Sequence, residues 1–90
     1  MLQTISITVE GEVQGVFFRQ STKDLANQLG IKGQVRNLLN GNVHVIATGT
    51  KEQLDKLTQW CKKGPPRSNV TGVDVQEVSL QMFHEFKITG

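Results

Sequence analysis

The amino-acid sequence predicts an α+β sandwich in the order βαββαβ, with two helices on one face of a mostly antiparallel sheet. Three patterns carry that expectation. Apolar and polar residues alternate near the N-terminus, around residue 45 and again around residue 75, which is the period of half-buried strands. Two stretches, 21–30 and 50–64, place apolar residues at helical spacing between capping and breaking residues. Between two strand-like runs stands Asn40-Gly41, the strongest short hairpin signal a sequence offers.

Ile5, Ile7 and Val9 alternate with Thr4, Ser6 and Thr8, so the first strand is expected to reach Val13, where Gln14-Gly15 turns the chain. Ser21 is expected to cap the first helix, with Asp24 approximating a capping box. Thr22, Leu25, Ala26 and Leu29 make its buried stripe, and Gly30 ends it. The second strand is expected over Gln34 to Leu39. Asn40 and Gly41 both tolerate the positive φ of a type I′ turn, after which Val43, Val45 and Ala47 alternate up to Gly49. Thr50 caps the second helix, and Gln53 completes a capping box. Leu54, Leu57 and Cys61 face the core with Trp60 at the edge, and Gly64-Pro65-Pro66 stops the helix. Val73 and Val75, then Val78 and Leu80, read as a long strand bulged in its middle, where the alternation slips; Phe86 and Ile88 mark a short last strand. This order is the ferredoxin-like, split β-α-β arrangement. Right-handed crossovers then bring both helices to the same side.

Residues 1–90 are expected to form one domain, because halves of this chain would be too small to bury a useful core. Ten Lys and Arg stand against eight Asp and Glu, a net charge of +2. That is too little for a general nucleic-acid binder, whose affinity rests on many phosphate contacts. The distribution is less even: residues 13 to 73 hold nine basic residues against three acids, Asp24, Glu52 and Asp55. A basic middle of this kind can steer a small anionic substrate, although most surface charge only keeps a protein soluble. Cys61 is alone, so no intramolecular disulfide forms. The N-terminus lacks the apolar core of a signal peptide, and no run approaches a membrane span. The expectation is a soluble, cytoplasmic protein without membrane or nucleic-acid partners; nothing requires a second chain, so a monomer is expected.

The stretch GEVQGVFFRQS, residues 11–21, stands apart. Gly15 can adopt backbone conformations closed to other residues, and a turn there could gather the N–H groups of Gly15, Val16, Phe17, Phe18 and Arg19 into one concavity. Such a nest binds anions. A helix start close by adds unpaired N–H groups and the positive end of its dipole. Arg19 would supply a permanent charge and a planar fork that matches two phosphate oxygens. A plain structural reading competes with this one: glycine turns followed by arginine are common, Val16, Phe17 and Phe18 suit core or loop packing, and Gln14 suits bracing the turn.

GEVQGVFFRQST, followed by GQVRN, the Asn40-Gly41 hairpin and the Gly64-Pro65 helix ending, resembles acylphosphatase over essentially the whole chain. The segments Gly11–Arg19 and Gly33–Asn37 are specific as a pair. The resemblance implies metal-free hydrolysis of a carboxylic–phosphoric anhydride, with an acyl phosphate as substrate and no cofactor. It implies that Arg19 grips the phosphoryl group, that the amides of Gly15 to Arg19 cradle it, and that Asn37 orients the attacking water. Two positions depart from the family pattern. Gln34 stands where an aromatic is usual, which bears on packing beside the site, and the chain ends Lys87-Ile88-Thr89-Gly90 where many relatives carry another basic or aromatic residue.

Other candidates carry less. His44 and His84 have no partner at metal-ligand spacing. Cys61 reads as a small hydrophobe. Ser21 and Thr50 read as caps, with Ser21 a minor candidate for phosphate contact. Arg36 should point away from Asn37 by strand alternation, and Lys62-Lys63 suits a helix C-terminus. An RNA-binding module shares the strand–helix order but needs aromatics on the central strands, where this chain has Ile5, Ile7, Val43 and Val45. A non-catalytic sensor of acyl phosphates would keep Arg19 and could dispense with Asn37.

Overall fold

In the computed structural model, which describes residues 1–90, strand β1 spans Gln3–Glu12, helix α1 Phe18–Leu29, β2 Lys32–Asn37, β3 Val43–Gly49, α2 Lys51–Lys63, β4 Asn69–Val78 and β5 Phe86–Thr89. The sheet order is β4-β1-β3-β2-β5. Every pairing is antiparallel except that of β5 with β2. The fold is therefore the expected ferredoxin-like sandwich with one added edge strand.

Alternation builds the core. Ile5, Ile7 and Val9 of β1, Val35 of β2 and Val43, Val45 and Ala47 of β3 are buried together with Phe18, Ala26, Leu54, Leu57 and Cys61 of the helices. Helix α1 lies over β2 and β5, and α2 over β4, β1 and β3. Gln53 joins the helices: its Oε1 accepts from Thr50 N–H at 2.8 Å within the capping box, while its Nε2 donates to the Leu29 carbonyl at 2.8 Å. Burial pushes the Cys61 thiol up to about 12, as befits a packing residue. No helix is long and apolar enough to cross a membrane.

Strand β2 lies two residues earlier than the expected Gln34 to Leu39, and three further local expectations need correction. Helix α1 begins at Phe18 and not at Ser21; Ser21 N–H donates to the Phe17 carbonyl in an ordinary helical bond of 3.0 Å, and Asp24 accepts from Gln20 Nε2 instead of closing a capping box. Drawing Phe18 into the core explains the earlier start. Full burial of such a side chain is worth about 1.5–3 kcal/mol, more than the roughly 1 kcal/mol of a serine cap. Second, the β2–β3 hairpin is present, yet its turn is not type I′, since Asn40 keeps a negative φ and only Gly41 is positive, at 96°. Gly41 N–H donates to the Leu38 carbonyl at 3.2 Å, and Leu38 N–H to the Asn42 carbonyl at 2.8 Å. Those bonds make a three-residue loop with Gly41 as its bulge residue. Third, β4 starts earlier and its register shift lies opposite Glu10/Gly11, not between Val75 and Val78. The slip in alternation is a change of face: Val73 and Val75 pair with core residues Val9 and Ile7, whereas Val78 pairs with Thr4.

The face of the sheet away from the helices is polar and hydrogen-bonded. Thr4 and Thr48 hydroxyls lie 2.6 Å apart and hold Gln81, whose N–H donates to Thr4 Oγ1 at 2.9 Å and whose carbonyl accepts from Thr48 Oγ1 at 2.6 Å. His44 Nε2 lies 2.8 Å from Ser6 Oγ. Partial burial, and then the Arg36 guanidinium across the β2–β3 pair, hold the His44 imidazole below its ordinary range. Unfolded His44 therefore gains a proton near pH 6.5 while the folded residue stays neutral to lower pH. Its contribution to stability is intact above about pH 6.5 and is lost as pH falls toward the folded value. The urea midpoint should accordingly drop between about pH 7.5 and about pH 5.5, and the drop should be smaller in His44→Gln; equal drops in both proteins would contradict this assignment.

Candidate active site

Where β1 ends, the chain turns into α1 through Gln14–Phe17, and the last residue of β2, Asn37, lies beside that turn. The Gln14 side chain fixes the relation. Its Nε2 donates to the Leu38 carbonyl at 2.8 Å and to the Asn42 carbonyl at 2.9 Å, tying the turn to the hairpin that follows Asn37. Gln14 is thus the brace that the sequence suggested.

Backbone sign alternates through the turn. Gly15 has φ 73° and Phe17 φ 65°, while Val16 and Phe18 keep negative φ. A left-handed residue followed by a right-handed helical one, as at Phe17 and Phe18, turns successive N–H groups toward one side, which is the geometry of an anion-binding nest. No backbone N–H from Gly15 to Gln20 donates to a backbone acceptor. Nor does a side chain cap α1, whose N-terminal neighbour Phe17 makes no capping bond. The open donors of the turn therefore run directly into the open donors of the helix start. A nest of donors beside a helix N-terminus is fitted to an anion by both hydrogen bonding and dipole.

Phe17 is the only non-glycine residue with positive φ. For an aromatic side chain that conformation costs on the order of 1–3 kcal/mol. Phe18, next in line, anchors the turn from below: it is buried, with its ring centroid 5.2 Å from that of Trp60. Val16 is partly buried and packs against the core.

Arg19 and Asn37 reach the same cleft, together with Val13, Gly15, Phe17, Phe18, Gln20 and Ile88, around a volume of about 340 Å³. Arg19 belongs to none of the three ion pairs of the chain, all of which are exposed lysine–carboxylate pairs. Asn37 Oδ1 is the one buried side-chain oxygen or nitrogen without a hydrogen-bond partner. An unmatched buried acceptor costs about 1–3 kcal/mol. Nowhere in the structure do three or more His, Cys, Asp or Glu side chains gather into a metal-binding group.

Strand alternation sorts the remaining candidates. Val35 and Asn37 face the helices, whereas Gln34 and Arg36 line a hollow on the opposite face with His44, Ile46 and Thr89. Gln34 therefore faces away from Asn37 and lies outside the cleft lining. Ser21 lies within α1, outside the cleft lining. Nothing in the sequence marks Val13 or Gln20 as site residues, and Ile88 is marked only as part of the departing C-terminal Lys87-Ile88-Thr89-Gly90. Ile88 reaches the cleft only because β5 pairs in parallel with β2, placing it opposite Val35, and no local pattern announces that pairing.

The family model for acylphosphatase matches residues 5–88. The chain belongs to the acylphosphatase family. A relative from Alkalilimnicola ehrlichii is 49% identical over 80 residues, which is 89% of this chain and 90% of that one. Among solved structures, the acylphosphatase of Coxiella burnetii superposes with a TM-score of 0.95 at 36% identity, covering 98% of this chain and 93% of that one. The acylphosphatase of Bacillus subtilis gives 0.94 at 36% identity, with both chains fully covered. As an acylphosphatase the chain is an enzyme acting on acyl phosphates, which decides against a non-catalytic sensor.

Gly15 tests the geometry directly. A Cβ there would meet nothing within 4 Å, so strain from its φ of 73° is the only penalty. Gly15→Ala should cost about 1–2 kcal/mol in urea unfolding, and Gly15→Asn less, because asparagine tolerates the left-handed region; equal stability of Gly15→Ala and the parent would contradict the assigned turn.

Proposed function

We propose that the chain hydrolyses acyl phosphates without a metal ion. The amides of Gly15, Val16, Phe17, Phe18 and Arg19 and the Arg19 guanidinium hold the phosphoryl group, and Asn37 places the water. The observation that carries this reading is the unmatched Asn37 Oδ1, buried at the same cleft as an open nest of backbone donors and an unpaired guanidinium.

Phosphoryl transfer asks little covalent chemistry of a protein; it asks for positioning and for stabilisation of charge on the equatorial oxygens. The nest supplies fixed dipoles that need no reorganisation, and Arg19 adds a two-pronged donor of permanent charge. Asn37 Oδ1 has no partner within the protein, so its acceptor capacity is left for the attacking water. That water attacks phosphorus in line with the departing carboxylate. The bond from phosphorus to the acyl oxygen breaks, its electron pair leaves with the carboxylate, and the proton of the water passes to a phosphoryl oxygen. Because the conjugate acid of the leaving group has a pKa of roughly 4, the carboxylate departs unprotonated and no strong general acid is needed. Metal-free chemistry is supported by the donor set: the cleft offers the Asn37 and Gln20 amides and a guanidinium, and no carboxylate, imidazole or thiolate.

The roles separate by mutation. Asn37→Ala should lower turnover of benzoyl phosphate by about 10²-fold or more while leaving competition by inorganic phosphate intact. Its stability should be unchanged or higher, since Oδ1 has no protein partner to lose. Arg19→Gln should lose both turnover and phosphate competition, and a chelator should leave the parent rate unchanged. Near-normal turnover in Asn37→Ala removes that residue from the mechanism; retained phosphate competition in Arg19→Gln removes the seat.

A further inference from the structure

The phosphoryl seat explains the backbone of Phe17 but not its side chain. A nest needs positive φ at residue 17, and glycine or asparagine would provide it with less strain. Phenylalanine is present instead, in a conformation unfavourable to it, and the residue is 72% exposed. The ring does not belong to the core, where Phe18 and Phe86 are buried. Phe17 lines the cleft together with apolar Ile88, itself 37% exposed. A strained backbone and an exposed aromatic ring therefore coincide beside the open donors, which is where a bound ligand would meet both.

Resting on the reading given under Proposed function, we infer that the Phe17 ring is the contact for the acyl group, and that the site favours acyl phosphates with aromatic or extended apolar acyl groups over acetyl phosphate. The phosphoryl group sits against the Phe17 amide, so the ring projecting from the same residue is within one side-chain length of the scissile bond. Polar recognition ends at the carboxyl oxygen. Beyond it the substrate meets an aromatic face and aliphatic neighbours, which stack on or cover an apolar group and offer nothing to a short acetyl group. No carboxylate lines the cleft, so a cationic acyl group gains no partner there.

Two measurements decide this. In the first, kcat/KM is determined for benzoyl phosphate and acetyl phosphate with the parent, Phe17→Asn and Phe17→Tyr. Asparagine keeps the left-handed backbone accessible while removing the ring, and tyrosine restores the ring. The benzoyl-to-acetyl ratio should fall about tenfold in Phe17→Asn, chiefly through KM for benzoyl phosphate, and return in Phe17→Tyr. A ratio unchanged by Phe17→Asn, or one that tyrosine fails to restore, overturns the inference. The second needs no variant: inhibition of the parent by benzylphosphonate and by methylphosphonate, which cannot be hydrolysed. Benzylphosphonate should bind about tenfold more tightly, and equal inhibition overturns the inference even if Phe17→Asn fails to fold. Should the parent hydrolyse neither acyl phosphate, the hydrolytic reading fails by itself, while the phosphonate pair still decides whether the ring contacts an apolar group.

Discussion

Hydrogen-bonding groups that the fold leaves open are the constraint on which this site depends. Helix and strand formation satisfies most of the backbone, yet the donors from Gly15 to Gln20 and the acceptor at Asn37 find no partners within the protein. Both sets border one cleft. Satisfying them internally would have been simple, since a serine or aspartate before α1 would cap the helix start. A left-handed phenylalanine occupies that position instead, and the donors remain open for an external anion.

Holding open groups in place requires strong supports around them. Phe18 and Trp60 pack beneath the first turn of α1, and Gln14 bolts the turn to the β2–β3 hairpin by two bonds. Antiparallel pairing brings the end of β1 level with the start of β3, as Val9 opposite Val43 shows, while Asn37 of β2 pairs with that same Val43. The turn and the Asn37 that shares its cleft are thus set by sheet register on one side and by helix packing on the other. Neither a strained φ nor an unmatched oxygen would persist without such rigid surroundings.

Much of this was legible in the sequence. Period-two alternation located β1 and β3, helical spacing located α2 with its Thr50–Gln53 box, and the order of elements led to the sheet topology. Motif resemblance marks Arg19 and Asn37 in the sequence, and they border one cleft. What escaped was set by tertiary context. Local preference favours Ser21 as a cap, and only burial of Phe18 moves the helix start past it. Nothing in the propensities of phenylalanine suggests a left-handed Phe17, because that conformation is imposed by the turn. The parallel pairing of β5 joins residues distant in the chain, so Ile88 could not be assigned to the cleft from its own neighbourhood.

The account is tested most directly by titrating inorganic phosphate into isotopically labelled protein and following amide and guanidinium resonances. The predicted result is saturable displacement of the Gly15 to Arg19 amides together with Arg19 Nε–H, with the hollow around Arg36 and His44 unmoved. Displacement at that hollow or at Lys62 and Lys63, with the turn silent, would contradict it.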